Sequence, residues 1–180
     1  MKFKLLRNYA SILNLILNFC PFFYINVFYD NMTYFGNSGG HYFLFFLWTL
    51  SSCFGYYFYS KKIWEVYKIK YESHLHTLFI VGIILSIFIP YSSSLPGWIN
   101  DGHVWLAIVC IAGFMLEWLW ISLHSTLQYT KEWKGLFCIF MFCLFLLLLF
   151  GHVTAIAEIT FSSLVNLYLS YWLIKKEVSL

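Results

Sequence analysis

One short stretch of the sequence has the residue types of a serine nucleophile. Residues 36–40 read Gly-Asn-Ser-Gly-Gly, one residue away from the sequence around the nucleophile of trypsin-like proteases, and His41 follows directly. A protease of that class also needs an aspartate, a base against the serine and two β-barrels that position them. This chain cannot build that arrangement, whereas glycines with Asn and Ser are typical of a tight turn. We therefore interpret Ser38 as a turn residue.

Histidines and carboxylates at the ends of predicted helices form a second candidate site. Three imidazoles and up to three carboxylates at one depth could hold a Zn²⁺ ion with an open position, or perform acid/base catalysis on a lipid headgroup. No HxxxH or HxxE spacing occurs within one helix, so several helices would have to meet. We predict no resident cofactor and keep Zn²⁺ as the alternative. The candidate catalytic or metal residues are His41, Asp101, His103, His152 and Glu158, with Asp30 at the same depth.

Alternatively, these side chains lie at the membrane–water interface and form no site. Histidine is common at the level of lipid headgroups, and Asn100-Asp101-Gly102 has the composition of a turn in which Asp101 caps the next helix. We expect three further histidines to meet headgroups or cytosol on the opposite side. They are His74, His76 and His124.

The clearest polar pattern lies in a predicted helix at residues 103–124. Seven residues are nearly two helical turns, so side chains with that spacing form one stripe along the helix. A carboxyl group inside a membrane must be protonated, paired or wetted. We expect Glu117 to be protonated and hydrogen-bonded to Asn14, Asn166 or Ser170. The stripe consists of His103, Cys110, Glu117 and His124.

Other predicted helices carry polar faces as well. Polar side chains in hydrocarbon cost free energy unless they face protein or water, so these faces predict a polar core between the first, second, fourth and sixth helices. Alternatively, they only hold the helices together. The sixth helix contributes Thr154, Glu158, Ser162, Asn166 and Ser170, the first Ser11, Asn14 and Asn18, and the second His41, Trp48, Ser52 and Gly55. The candidate ligand-binding residues are Glu117, Asn14, Asn18, Asn166, Trp48 and Cys110.

The elements that must position these groups follow from the composition. The chain has 180 residues, 61% of them apolar and only 11% charged, whereas a soluble domain is about a quarter charged. Six runs have about the length that crosses a hydrocarbon core, which needs about 20 helical residues. The sequence therefore predicts an all-α polytopic membrane protein, with one six-transmembrane-helix domain over residues 1–180. The predicted helices are 9–29, 42–60, 75–91, 103–124, 135–151 and 155–174.

The basic residues predict how this bundle is oriented. All eleven Lys and Arg residues fall in the segments that the helix order places on one side. The positive-inside rule then predicts both termini in the cytoplasm and a location in the cell membrane. The small excess of positive charge reflects topology and not nucleic-acid binding. The five cysteines are scattered within predicted helices, which excludes a disulfide framework or a zinc-ligand spacing.

The connection between the third and fourth predicted helices carries a resemblance. The segment Ile87-Phe88-Ile89-Pro90-Tyr91, then Pro96 and the stretch DGHVWLAIVCIAGF at 101–114, resembles the loose group of six-helix membrane proteins of the Frag/DRAM/Sfk type and related bacterial families of unknown function. Chain length and helix number are similar as well. The resemblance implies a six-helix fold and, for its eukaryotic members, a link to lipids or membrane trafficking. It carries over no catalytic residues.

Several functions are compatible with this sequence. We favour a non-enzymatic membrane protein that binds a lipid, a small hydrophobic solute or a partner protein in the polar core. The partner would be another membrane protein or a second copy of this chain. The alternatives are an outer-leaflet membrane enzyme, metal-assisted or acid/base, that uses the His/carboxylate cluster, and a substrate-binding transporter subunit. A purely structural subunit or an immunity protein also fits.

Overall fold

The computed structural model describes residues 2–71, 73–89 and 96–178, and these residues contain helices and no β-strand. The predicted all-α fold is confirmed. Short 3₁₀ turns follow the first helix (Cys20–Phe23) and precede the sixth (Thr126–Tyr129). The α-helices are α1 (Lys2–Phe19), α2 (Met32–Gly36), α3 (Tyr42–Val66), α4 (His74–Ser86), α5 (Gly97–Leu123), α6 (Lys131–Phe150) and α7 (Ala155–Val178).

The first predicted helix is wrong at its C-terminal end, because α1 stops at Phe19 instead of residue 29. Pro21 lies in the 3₁₀ turn that follows, and its carbonyl oxygen accepts bonds from the N–H groups of Tyr24 and Ile25, both at 3.0 Å. The chain then forms α2 inside the segment predicted as a loop. The side chain of Asn31 caps α2 by accepting a hydrogen bond from the Tyr34 N–H at 2.8 Å, as an N-cap residue does.

The predicted turn at Asn100-Asp101-Gly102 is also wrong. Helix α5 begins at Gly97, directly after Pro96, so Asp101 lies inside the helix and does not cap it. Proline is favoured at a helix start because its missing N–H would have no partner there, and this signal prevails over the Asp-Gly pair.

Helix α4 ends at Ser86, earlier than predicted, and residues 90–91 of that prediction lie outside the described residues.

Helices α6 and α7 are joined by a tight connection. The hydroxyl oxygen of Thr130 caps α6 by accepting a bond from the Trp133 N–H at 3.2 Å. At the other end of α6, Gly151 has φ +69°, a left-handed conformation that glycine adopts without strain.

Helices α3 and α7 continue beyond their predicted ends, to Val66 and Val178 respectively.

The long helices pack in two groups. Helices α4 and α5 form one group, and α1, α3 and α6 pack around α7 in the other. Helix α3 also contacts α4 and so joins the two groups. Helices α5 and α6 barely touch, although they follow each other in the chain. We call one end of the bundle the α2 end, because it carries α2 and the starts of α5 and α7. We call the other the basic end, because the Lys-containing segments 61–70, 131–134 and 175–176 lie there.

Two of the described helices are long and apolar enough to cross a membrane, namely Gly97–Leu123 and Lys131–Phe150. Only 28% and 22% of their most apolar windows are buried inside the protein. A core helix of a soluble protein would be mostly buried, so these two helices instead turn apolar surface outward. Large exposed side chains on α6 include Phe145, Leu148 and Leu149.

Candidate functional site

A cavity of about 220 Å³ lies between the two groups of helices. Its wall is mostly apolar and is formed by α3, α4, α5, α6 and α7, with residues 31 and 33 at the α2 end. Ala107 and Ile111 of α5 face Leu144 and Leu147 of α6 across it. Helices α5 and α6 barely touch, and Ile108 and Leu144, which line the cavity on either side of the seam between them, are 40% and 41% exposed, so the cavity is open there toward the apolar exterior.

The polar side chains at the α2 end of the cavity include a buried histidine. His103 is 4% exposed, and its Nδ1 lies 2.6 Å from the carbonyl oxygen of Ser86. A carbonyl only accepts, so Nδ1 carries the proton, and in the neutral ring Nε2 is an acceptor. The Thr33 hydroxyl, 2.8 Å from Nε2, is then the donor. This chain of bonds fixes α2 and α4 on the start of α5.

Glu158 lines the same end of the cavity from α7. Its Oε2 accepts a hydrogen bond from the Met32 N–H at 2.7 Å, so the carboxylate stabilises the start of α2. In return, the carbonyl oxygens of Val27 and Asp30 accept bonds from the first N–H groups of α7, at 2.9 and 2.6 Å. The half-buried Glu158 side chain is thus positioned by two helix starts that face each other.

A buried polar network beside the cavity joins α1, α3 and α7. The Asn14 Nδ2 donates to the hydroxyls of Ser52 and Ser162, both at 3.1 Å, and these hydroxyls are 2.7 Å apart. Asn18 donates to Asn14 Oδ1 at 3.0 Å and accepts a bond from the Trp48 indole at 2.6 Å. The structure therefore brings together Asn14, Asn18 and Trp48, three of the predicted core residues.

Asn166 lies further along α7, where helix α3 approaches very closely. Its Nδ2 donates to the Ser162 carbonyl oxygen at 3.0 Å, while its Oδ1 has no hydrogen-bond partner within the described part of the chain. That oxygen faces Gly55 of α3, where an added Cβ atom would come within 1.7 Å of it. The absence of a side chain at Gly55 is what allows α3 and α7 to pack at this distance.

Glu117 has other partners than those predicted. The Tyr71 hydroxyl donates to Oε1 at 2.6 Å, and His76 Nδ1 lies 2.6 Å from Oε2. The side chains of His76 and Glu117 are 0% and 3% exposed. The expected bonds to Asn14, Asn166 or Ser170 are not formed, because the Glu117 face of α5 turns toward α4 and not toward α1 and α7.

The position predicted for His76 at a headgroup is also wrong, because His76 is fully enclosed by aromatic rings. The ring centroids of Trp64, Tyr57 and Phe114 lie 4.8, 5.6 and 5.7 Å from that of the imidazole. The Nε2 atom is buried with no partner within the described residues, so no substrate can reach it. Burial, reinforced by the bond to Glu117, raises the pKa of Tyr71, which keeps its hydroxyl a donor. The cluster holds α4 on α5.

The other two residues of the α5 stripe, Cys110 and His124, have different surroundings. Cys110 packs against Gly82, where an added Cβ would come within 2.3 Å of the sulfur. A shallow groove of about 510 Å³ lies between the two helices near Glu117 and Tyr71, and its other lining residues are apolar. His124 ends the stripe at the C-terminus of α5, exposed and stacked on Trp120 with 3.9 Å between ring centroids.

The remaining candidate catalytic or metal residues are not assembled into a site. The His41 ring packs between Tyr24 and Phe35, with centroids 4.0 and 5.1 Å away. Both nitrogens of His152 face carbonyl oxygens, those of Phe150 at 2.9 Å and Tyr29 at 3.0 Å. Across residues 2–71, 73–89 and 96–178, no three His, Cys, Asp or Glu side chains are placed to hold a metal ion.

The turn serine Ser38 and the aspartates Asp30 and Asp101 lie apart from the cavity. Ser38 is exposed in the turn between α2 and α3, and Gly40 at that turn has φ +72°. Asp101 is exposed on the first turns of α5, and Asp30 accepts a bond from the Asn26 N–H at 3.0 Å within its own loop. None of these residues lines the cavity.

Sequence reasoning missed two features of this site. Thr33 lies in a segment predicted as a loop, although it contacts His103, and His76 is predicted to meet headgroups or cytosol, although it is the partner of Glu117. For His76 the sequence carries no local signal of burial, because this residue stands at the start of α4 beside a polar segment.

Comparisons with known proteins give no relative for this chain: it matches no protein-family model, no curated protein and no solved structure.

Proposed function

We propose that this chain is a multi-pass cell-membrane protein in which the six α-helices other than the five-residue α2 cross the bilayer. Two helices have the length and composition of membrane spans and turn apolar surface outward. Helix α4 exposes Leu75, Leu78 and Leu85 in the same way, whereas soluble proteins rarely expose apolar patches of this extent. The 25 residues of α3 and the 24 of α7 are about 37 and 36 Å long, more than the ~30 Å of a hydrocarbon core.

Within this proposal both termini lie in the cytoplasm, and labelling of introduced cysteines tests it. Ser38, in the turn before α3, and Thr126, in the 3₁₀ turn before α6, are exposed and lie at opposite ends of the bundle. In intact cells, we expect a membrane-impermeant maleimide to label Ser38→Cys and to label Thr126→Cys only after permeabilisation, each relative to the parent protein. The reverse pattern would contradict the orientation, and labelling of both in intact cells would contradict the membrane topology.

We further propose that the protein binds the apolar chain of a lipid or of a similar hydrophobic solute in the cavity between α5 and α6. The observation that carries this proposal is the combination of an apolar wall, a polar α2 end and a seam toward the exterior. Its volume of about 220 Å³ is below the ~300 Å³ at which pockets for drug-sized ligands begin. A segment of one apolar chain fits such a space, whereas a whole phospholipid does not.

A substitution that fills the cavity tests this function. Ala107→Phe places a ring in the space that the chain would occupy, while Val109→Phe adds the same ring on the 58%-exposed outer face of α5. We expect Ala107→Phe to weaken binding of a photoreactive long-chain alcohol about tenfold, because the ring occupies the space of the chain; this change corresponds to about 1.4 kcal/mol. The measurement is saturable photolabelling in nanodiscs, mapped by mass spectrometry to the cavity-lining segments.

Saturation of the labelling and the Val109→Phe variant distinguish binding in the cavity from labelling of the lipid-facing surface. Lipid-facing surfaces also react with the probe, but that labelling does not saturate and is not reduced by excess unlabelled alcohol. Val109→Phe is expected to keep the saturable labelling of the native protein. If Ala107→Phe folded normally and kept it too, the cavity would not be the binding site.

A further inference from the structure

Two hydroxyl groups that line the cavity donate their protons within the protein. Thr49 donates to the Phe45 carbonyl oxygen at 3.1 Å, and Ser86 donates to that of Ile83 at 2.8 Å. Both residues line the cavity. Their hydrogens are therefore used, while the oxygen lone pairs that remain can only accept.

Thr33 and Glu158, at the α2 end of the cavity, also present oxygen lone pairs to it. Because His103 Nδ1 donates to the Ser86 carbonyl, the Thr33 hydroxyl gives its proton to Nε2 and also retains only lone pairs. Glu158 is an acceptor through both oxygens when ionised. Its Oε2 is occupied by the Met32 N–H, and no described residue donates to Oε1.

The acidic side chains at the α2 end favour a cationic headgroup over an anionic one. All Lys and Arg residues of the sequence belong to segments at the basic end of the bundle or to the start of α1, whereas Asp30, Asp101 and Glu158 lie at the α2 end. An anionic headgroup there would meet a carboxylate and no basic side chain. A cationic headgroup would gain a charge-assisted hydrogen bond to Glu158.

Building on the proposed function, we propose that the ligand is a single-chain amphiphile whose headgroup donates hydrogen bonds. It is a long-chain amine or alcohol, and the amine binds more tightly. The apolar chain lies between Ala107 and Leu144, and the headgroup lies at Thr33 and Glu158. The cavity admits a segment of one chain, and the lone pairs of Thr33 and Glu158 at its polar end select a donor.

Competition between amphiphiles of equal chain length tests this headgroup preference. The protein is placed in phosphatidylcholine nanodiscs with the photoreactive alcohol, and a long-chain amine, alcohol and carboxylate compete for the saturable labelling. We expect the amine to compete at about tenfold lower concentration than the alcohol, and the carboxylate to compete least. Equal competition by all three, or the carboxylate in front, would overturn the headgroup inference while leaving binding in the cavity intact.

Two variants assign the preference to its residue. Glu158→Gln keeps an oxygen for the Met32 N–H but loses the charge, so the amine is expected to compete no better than the alcohol. Glu65→Gln, at an exposed position near the basic end, should keep the advantage of the amine. An advantage that persisted in Glu158→Gln would overturn the role of Glu158. If Glu158→Gln did not fold, the ranking in the native protein would decide.

The two proposals fail in different ways. Saturable labelling that no amphiphile reduces, together with unchanged labelling of Ala107→Phe, would remove the proposed function and this inference with it. Labelling that every amphiphile reduces equally would remove only the inference about the headgroup.

Discussion

Replacing Glu117 by Ala is expected to lower the free energy of unfolding by about 3–5 kcal/mol, because it breaks a buried, hydrogen-bonded pair from one side. The carboxylate oxygens lie 2.6 Å from the Tyr71 hydroxyl and 2.6 Å from His76 Nδ1. Both groups would lose their partner, and the imidazole would stay enclosed by Trp64 and its other aromatic neighbours. The measurement is denaturant-induced unfolding of the purified protein in detergent, followed by tryptophan fluorescence.

Control variants separate the buried cluster from general effects of removing a carboxylate. Glu65 pairs with Lys62 at the surface, and its side chain is 57% exposed. Glu65→Ala should therefore change the stability by less than about 1 kcal/mol. Tyr71→Phe removes one hydrogen bond and should cost about 1–2 kcal/mol. A loss for Glu117→Ala no larger than that for Glu65→Ala would contradict the assigned role of the cluster.

The polar network at α1, α3 and α7 was predictable because hydrocarbon makes polar side chains costly. Asn14 and Asn18 stand in an apolar run, and Ser162 stands on a face where polar residues recur every four positions. Such residues must turn toward other helices. The sequence therefore predicts the faces, and the structure joins them through bonds between Asn14, Ser52 and Ser162.

The partner of Glu117 was not predictable from the same rule. A seven-residue spacing places His103, Cys110 and Glu117 on one face, but it does not say which neighbouring helix that face meets. His76 is only the third residue of α4, next to a polar loop, so its position in the sequence indicates exposure. It is buried because Trp64 and Tyr57 close over it from α3, a contact between distant segments that no local pattern contains.

Helix ends were the least predictable part of the fold. Composition predicts where apolar runs lie, yet the ends depend on single backbone groups. Pro21 stops α1, Pro96 starts α5 and the Asn31 side chain starts α2. The cavity was not predictable either, since it depends on α5 and α6 packing against different neighbours instead of against each other.

Replacing Gly55 by Ala is expected to lower the free energy of unfolding by about 1–3 kcal/mol, as overpacking in a tight interface does. The new Cβ atom would lie 1.7 Å from Asn166 Oδ1 and 2.7 Å from its Cγ. Asn166 is only 1% exposed, and its Nδ2 is bonded to the Ser162 carbonyl oxygen, so the amide cannot simply rotate away. Helices α3 and α7 must therefore separate, which thermal or denaturant unfolding in detergent would measure.

A second glycine gives the matched control for this prediction. Gly102 lies within α5, and an added Cβ there would meet no atom within 4 Å. Gly102→Ala should raise the stability by about 0.5–1 kcal/mol, because Ala loses less conformational freedom than Gly in a helix. The double variant Gly55→Ala with Asn166→Ala removes the clash and should recover part of the loss. A stabilising Gly55→Ala, like that at Gly102, would mean that α3 and α7 do not pack at this distance.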